Sequence, residues 1–200
     1  CYTIVLSKVS RDRIESTISL KEDASNCESP VRICLGQGIV KGTGFDGIVR
    51  KSVELGVDKI VPISANRSIA KLSQEDSERK INRWCRISRE ASKQCGRSSI
   101  PIIGSKPATV KEFCFTNQES DLKIIFWEEE RSFRIKNLFH KSKLKSVAIL
   151  IGPEGGFSSK EVDVSRKYGF QSVSLGPRLL RTDTAPLAAI AIIQNHWGDL

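Results

Sequence analysis

Two glycine-rich stretches near the C-terminus hold the residue types best suited to gripping a ligand. The first, Gly152-Pro153-Glu154-Gly155-Gly156, packs three glycines and a proline into five positions. Such a backbone takes special angles and lets another group approach closely. The second opens with Gly176-Pro177 and continues Arg178, Leu179, Leu180, Arg181, Thr182, Asp183. The first loop is no phosphate cradle: no Gly-Lys-Ser/Thr closes it, and it is not a G-x-G-x-x-G turn. The chemistry left to it is recognition through backbone groups. Gly36-Gln37-Gly38 echoes a dinucleotide fingerprint, but the third glycine is mis-spaced and the triplet reads as a plain turn.

A second constellation is cationic. At 3.6 residues per turn, Arg79, Arg83, Arg86, Lys93 and Arg97 fall on one stripe, with Ile81, Trp84, Ile87, Ala91 and Cys95 opposite. One reading is the solvated face of an ordinary amphipathic helix. The other is a row of contacts to an RNA backbone. Only one acid, Glu90, faces the stripe in sequence, and like-charge repulsion favours the second reading for Arg79, Arg83, Arg86 and Lys93. Metal chemistry has no ligand set: six cysteines form no C-x-x-C pair, the two histidines lie far apart, and isolated thiols are expected. His140 reads as a surface histidine.

The elements that position these residues alternate between strand and helix from residue 31 onward. Residues 147–151 form a continuous apolar run, the pattern of a buried parallel strand, and the first glycine loop leaves its carboxyl end. Ser158 with Glu161 makes a capping box for a helix to about Tyr168, and Gly169 suits its left-handed cap. Residues 171–175 form the next strand, ending at Gly176. Thr182 and Asp183 are N-cap candidates for a last helix through Trp197. Two loops thus leave the carboxyl ends of successive strands, the edge where open α/β sheets bind ligands.

Upstream, short strands are expected at 31–35, 59–63, 100–103 and 122–127. Helices are expected over 45–55, 74–95 and 110–115, the last opened by the Thr109/Glu112 capping box. Residues 131–145 (RSFRIKNLFHKSKLK) are basic and read as a surface loop with a turn of helix. Residues 1–24 alternate as a hairpin that must belong to something larger, with 26–30 as a linker. The last helix is apolar nearly all round and needs cover from the fold or from a second subunit.

Two hundred residues with 39% hydrophobic content can build one full domain and a small appendage. No segment has the apolar length to span a membrane, and no signal peptide is visible. A net charge of +9 points to a polyanionic partner. The chain has no Met and starts with Cys, so a natural start upstream of residue 1 is expected.

The pair IGPEGGFS and LGPRLLRTDTA resembles the RsmE family, which methylates N3 of a uridine in the 16S ribosomal RNA of the small subunit. The family belongs to the SPOUT superfamily and uses S-adenosyl-L-methionine. The likeness covers residues 31–200, with a fainter echo before. EASKQCGR, ending at Arg97, resembles the family's Gln-x-Gly-Arg motif. The chain departs where Asp183 stands for the usual Glu and Pro186 for the usual Ala.

The resemblance implies a mostly parallel α/β sheet with a C-terminal trefoil knot over residues 29–200. It also implies that residues 1–28 are the remnant of an N-terminal PUA-like β-barrel that binds RNA. The cofactor pocket would be made by Leu150, Ile151, Gly152, Pro153, Glu154, Gly155 and Gly156, then Leu175, Gly176, Leu179, Leu180, Thr182 and Ala185. Arg97, Arg178 and Arg181 would stabilise the anionic uracil ring, with Arg97 turned toward the site from its helix end. Glu154 and Asp183 are candidate proton acceptors, each with a structural role as good. A cytoplasmic homodimer without metal is expected, acting on 16S rRNA. Two other functions stay open: another SPOUT enzyme methylating transfer-RNA ribose, and a non-catalytic basic RNA-binding dimer. A nucleotide-dependent oxidoreductase fits worst, for want of a phosphate fingerprint.

Overall fold

The structure, a computed structural model, describes residues 2–21, 27–68, 73–140 and 143–200. Strands β1 (Tyr2–Val9) and β2 (Ile14–Lys21) pair antiparallel as a separate two-stranded sheet. Its side chains Ile4, Val5, Leu6, Val9, Ile14, Ile18 and Leu20 are exposed. The expected linker, residues 26–30, begins outside the described residues.

The rest is a six-stranded parallel sheet with helices on both faces. Its strands are β3 (Arg32–Gly38), β4 (Lys59–Ile63), β5 (Ile102–Ile103), β6 (Leu122–Phe126), β7 (Ser146–Ile151) and β8 (Gln171–Val173). They lie in the order β5-β4-β3-β7-β6-β8. The helices are α1 (Gly44–Glu54), α2 (Gln74–Gln94), α3 (Val110–Thr116), α4 (Ser159–Lys167) and α5 (Ala185–Trp197).

Strand β7 shows why its sequence is apolar at every position. Val147, Ile149 and Ile151 point into one core, with Phe45, Ile48, Val49, Trp84 and Ile190 from α1, α2 and α5. Ala148 and Leu150 point into the other, with Phe113, Phe157, Val162 and Phe170. A strand covered on both faces has no solvent side to mark with polar residues.

Local signals are realised as read. The capping boxes at Thr109/Glu112 and Ser158/Glu161 both form, and Gly56, Gly96 and Gly169 end their helices with φ of 82°, 77° and 80°. Helix α2 starts at the Ser73 cap and buries Trp84 against Phe45, ring centroids 4.1 Å apart.

Three expectations are corrected. Gly36-Gln37-Gly38 is no turn but the end of β3. A Cβ at Gly36 would lie 2.7 Å from Leu150 Cδ2, so glycine serves close packing there and does not break the strand. Strands β5 and β8 are shorter than expected. Helix α5 begins at Ala185 after Thr184, with neither Thr182 nor Asp183 as its cap. The Thr182 hydroxyl is spent elsewhere, donating to the Gly152 carbonyl.

Candidate functional site

Loops following β3, β6, β7 and β8 meet at the carboxyl end of the sheet and enclose a cavity of about 740 Å³. Strand β3 leads away toward β4 and β5, whereas β7 and β6 lie on its other side, so these loops diverge around a crevice.

The first loop, residues 152–158, is held from below and from the side. The amide of Lys41 donates to Glu154 Oε1 at 3.0 Å, tying the loop to the one after β3. Glu161 of α4, buried, accepts from the Ser158 amide at 2.9 Å and from the Asn66 amide at 2.9 Å. Glycine is required for two reasons. Gly156 has φ of 66°, and a Cβ there would run into the Glu128 carboxylate. A Cβ on Gly155 would sit 2.9 Å from the Arg67 carbonyl oxygen, so packing on the Arg67 segment already excludes a side chain.

The second loop, residues 174–184, crosses from β8 at the sheet edge back to α5, which packs against α1 and β3. Thr182 pins it midway. Its hydroxyl donates to the Gly152 carbonyl, and the buried Gln37 reaches it with Nε2 at 3.4 Å. The end of β3, the first loop and the second loop are thereby linked through one hydroxyl.

The cavity wall includes every residue expected from the two loops: Ile151 through Gly156, then Leu175, Gly176, Leu179, Leu180, Thr182 and Ala185, with Arg178 and Arg181 beside them. Leu150 is the exception. It is fully buried under the sheet, because its neighbour Ile151 takes the other face. The sequence reading missed two contributing loops. Val40, Lys41 and Gly44 come after β3, and Phe126, Trp127, Glu128, Glu129 and Arg131 come after β6. The available signal was position: the Glu128-Glu129-Glu130 run directly follows a buried strand.

The wall combines apolar surface from Val40, Phe126, Ile151 and Leu180 with backbone groups of both loops. Trp127 is also part of this wall, with its indole N–H buried away from the open cavity. Such a lining suits a ligand with flat apolar faces and polar edges. Arg178 and Arg181 are exposed at the mouth, and Asp183 lies beside them. Glu130 braces the β6 loop. Burial pushes its carboxyl up, but hydrogen bonds from Ser132, Phe133 and Ser172 outweigh that and bring it down to about 2.

The structure does not bring Arg97 to this cavity. It lies just past the end of α2 and reaches the C-terminal end of α1, donating to Glu28 Oε2 at 2.7 Å and to the Val53 and Val57 carbonyls at 3.1 and 2.7 Å. Its side chain is 4% exposed. A guanidinium satisfied on all sides in this way has a bracing geometry.

The cationic stripe on α2 is also less bare than its sequence. Arg79 pairs with Asp76, Arg83 with Asp46 of α1, and Lys93 with Glu90. Arg86 is exposed with no recorded ion pair among the described residues. The repulsion expected along the stripe is therefore largely relieved within the chain. No cluster of three or more metal-ligating side chains occurs among the described residues, and no helix there is long and apolar enough to cross a membrane.

Comparison with known proteins gives the family. A family model describing an RNA methyltransferase domain matches residues 27–194. The ribosomal RNA small subunit methyltransferase E of Buchnera aphidicola subsp. Acyrthosiphon pisum is 38% identical over 181 residues, covering 90% of this chain and 70% of that protein. The protein of the same name from Bacillus subtilis is 31% identical over 193 residues, covering 94% and 75%. A crystal structure of a ribosomal RNA small subunit methyltransferase E from Neisseria gonorrhoeae, bound to S-adenosyl methionine, superposes with a TM-score of 0.88 at 35% identity. It covers all of this chain and 80% of its own.

Proposed function

The chain belongs to the ribosomal RNA small subunit methyltransferase E family. From that premise we propose that it transfers the methyl group of S-adenosyl-L-methionine to N3 of a uridine in 16S ribosomal RNA. The observation that carries this reading is the 740 Å³ cavity, built by the two glycine-rich loops and pinned by Thr182. A relative of the same family holds S-adenosyl methionine.

The cofactor supplies an electrophilic methyl group on a positively charged sulfur. The residues that would hold it are the cavity-lining members of the two loops, Gly152 through Gly156 and Leu175 through Thr182. The remaining work falls to the chain. Uracil N3 carries a proton between two carbonyls and is nucleophilic only once that proton has gone. The negative charge then spreads over N3 and both oxygens. We assign Arg178 and Arg181 to stabilising that charge and orienting the ring, since they are permanently charged donors at the cavity mouth. Asp183 is a carboxylate lining the same cavity, held among the described residues by a 3.3 Å contact from the Thr184 hydroxyl, and is our choice of proton acceptor. Glu154 is already engaged by Lys41, which supports its loop-bracing role. Arg97 is better suited to bracing than to catalysis, for the contacts given above.

Residues 29–200 are read as a knotted SPOUT domain. What supports a knot is the return of the chain from β8, at one edge, across the ends of β6 and β7 to α5 against β3. Residues 1–28 are read as part of a PUA-like barrel, supported by an exposed apolar hairpin that needs further strands. A homodimer and a cytoplasmic setting complete the proposal, the second because the substrate is ribosomal RNA.

The test is methylation of small ribosomal subunits lacking the modification, with nucleosides identified by mass spectrometry. N3-methyluridine is the expected product. A ribose-methylated nucleoside would overturn the base specificity, and no product despite bound cofactor would favour a non-catalytic RNA-binding protein.

A further inference from the structure

Six lysines and arginines occur between residues 131 and 145, with no acid among them. Unlike most of the α2 stripe, the exposed cations here, Arg131, Arg134, Lys136 and Lys143, have no ion pair among the described residues. Like charges this close repel one another within the screening distance of about 8 Å at physiological salt. An outside anion would relieve this repulsion.

The described backbone that carries them, residues 131–140 and 143–145, is well fixed for a basic loop. Glu130 anchors its start, accepting from the Ser132 and Phe133 amides at 2.9 and 3.1 Å. The segment then extends the sheet edge beside β8: the Ser174 amide donates to the Phe133 carbonyl at 2.8 Å, and Arg134 bridges Ser174. A 3-10 turn at Ile135–Leu138 buries Ile135 and Leu138, so Arg134 and Lys136 are turned outward. Asp121 anchors the far end through the Lys145 and Ser146 amides at 2.8 and 2.9 Å. A cationic surface held in place before binding loses little freedom on binding.

Its location ties it to the site. Ser174, which the segment pairs with, and Arg131, which begins it, both line the cavity. We propose that Arg131, Arg134, Lys136 and Lys143, rather than the stripe on α2, form the surface that seats the RNA backbone at the mouth of the cavity. The proposal rests on the function given above and deepens it. A phosphate chain docked on Arg134, Lys136 and Lys143 would run alongside β8 toward Arg131 and the two arginines of the second loop. These contacts read charge and geometry, so they position the target nucleotide without selecting its base.

The experiment compares two variants of the whole chain with the wild type. One carries Arg134→Gln, Lys136→Gln and Lys143→Gln; the other carries Arg79→Gln and Lys93→Gln on α2. All substituted side chains are exposed and outside the cavity. Calorimetry with S-adenosylmethionine checks the cavity, and binding to unmodified small subunits is titrated across salt concentrations. The triple variant is expected to lose about tenfold or more in RNA affinity. Its log–log salt slope should fall by about two to three, with cofactor affinity unchanged. The α2 variant should keep the wild-type slope. A triple variant with the wild-type slope, or an α2 variant that loses the larger share, overturns this surface while leaving the function intact. A wild type that binds cofactor but no RNA overturns both.

Discussion

Individual side chains divide into those held in reserve at the cavity mouth and those already committed. Arg178 and Arg181 have no recorded ion pair among the described residues, so their donors remain available to a developing anion. Arg178→Ala and Arg181→Ala should each lower single-turnover methylation by about 10²-fold with cofactor affinity little changed, because the donor is used mainly in the transition state. Near-normal rates in both would remove the arginines from the chemistry. Arg97 is the committed case. Arg97→Ala would leave the Glu28 carboxylate without its cation and remove a donor from the Val53 and Val57 carbonyls, at a cost of roughly 3 kcal/mol, while cofactor affinity should stay within about twofold. A variant of normal stability that has lost turnover would return Arg97 to the active site. Glu28 carries the pH signature of the same contact. Burial raises its carboxyl, but hydrogen bonds from Arg97 and Ser99 outweigh this and bring it from 4.5 down to about 2. A depressed carboxyl stabilises the fold fully above pH 4.5 and loses that contribution as pH falls toward 2. The difference in unfolding free energy between wild type and Glu28→Gln, on the order of 2 kcal/mol after solvent screening, should therefore shrink across that window. A constant difference from pH 5 to 2 would contradict the assignment.

At the scale of elements, Thr182 decides how the second loop is set against the first. Thr182→Val keeps the shape but removes the donor to Gly152 and the partner of Gln37, so cofactor affinity should fall by about tenfold, with Thr182→Ser retaining it. Equal affinity in the Val variant, by calorimetry, would show that the pin is idle. The same residue marks where sequence reading stopped. Capping boxes at Thr109/Glu112 and Ser158/Glu161 were legible because donor and acceptor lie three residues apart. The cap of α5 was not, since the Thr182 hydroxyl finds its partner 30 residues away. Gly36 looked like a turn because the side chains of Leu150 and Phe113 that crowd it come from distant elements. Arg83 looked unpaired because Asp46 sits on another helix, whereas Asp76 and Glu90 pair with Arg79 and Lys93 along α2 itself. Both cavity loops with glycine signatures were found, whereas the loops after β3 and β6 carry ordinary residues and become visible only once strand order is known.

At the scale of the whole molecule, helix α5 as well as the exposed hairpin is incompletely covered among the described residues. Helix α5 turns Pro186, Ala189, Ile190 and Ile193 into the core beside α1 and β3. Leu187, Ala188, Ala191 and Ile192, at i, i+1, i+4 and i+5, are only half-buried and form a continuous stripe of small and apolar side chains on the outer side. Small residues at the centre of such a stripe let a second helix approach closely, and Leu187 and Ile192 flank them. The helix also begins at the cavity, through Ala185, so a second copy packed on this stripe would stand next to the reacting groups. We place the proposed homodimer on this face, with an expected mass of twice 22.2 kDa at micromolar concentration. Ala191→Glu places a charge in the middle of the stripe, where pairing with its own copy across a two-fold interface would desolvate two carboxylates. Light scattering should find Ala191→Glu as a folded monomer, with circular dichroism matching the wild type. If the wild type is itself a stable monomer that binds cofactor, the half-buried stripe is a finished surface and the dimer is wrong. If Ala191→Glu remains dimeric, the subunits meet through a different face.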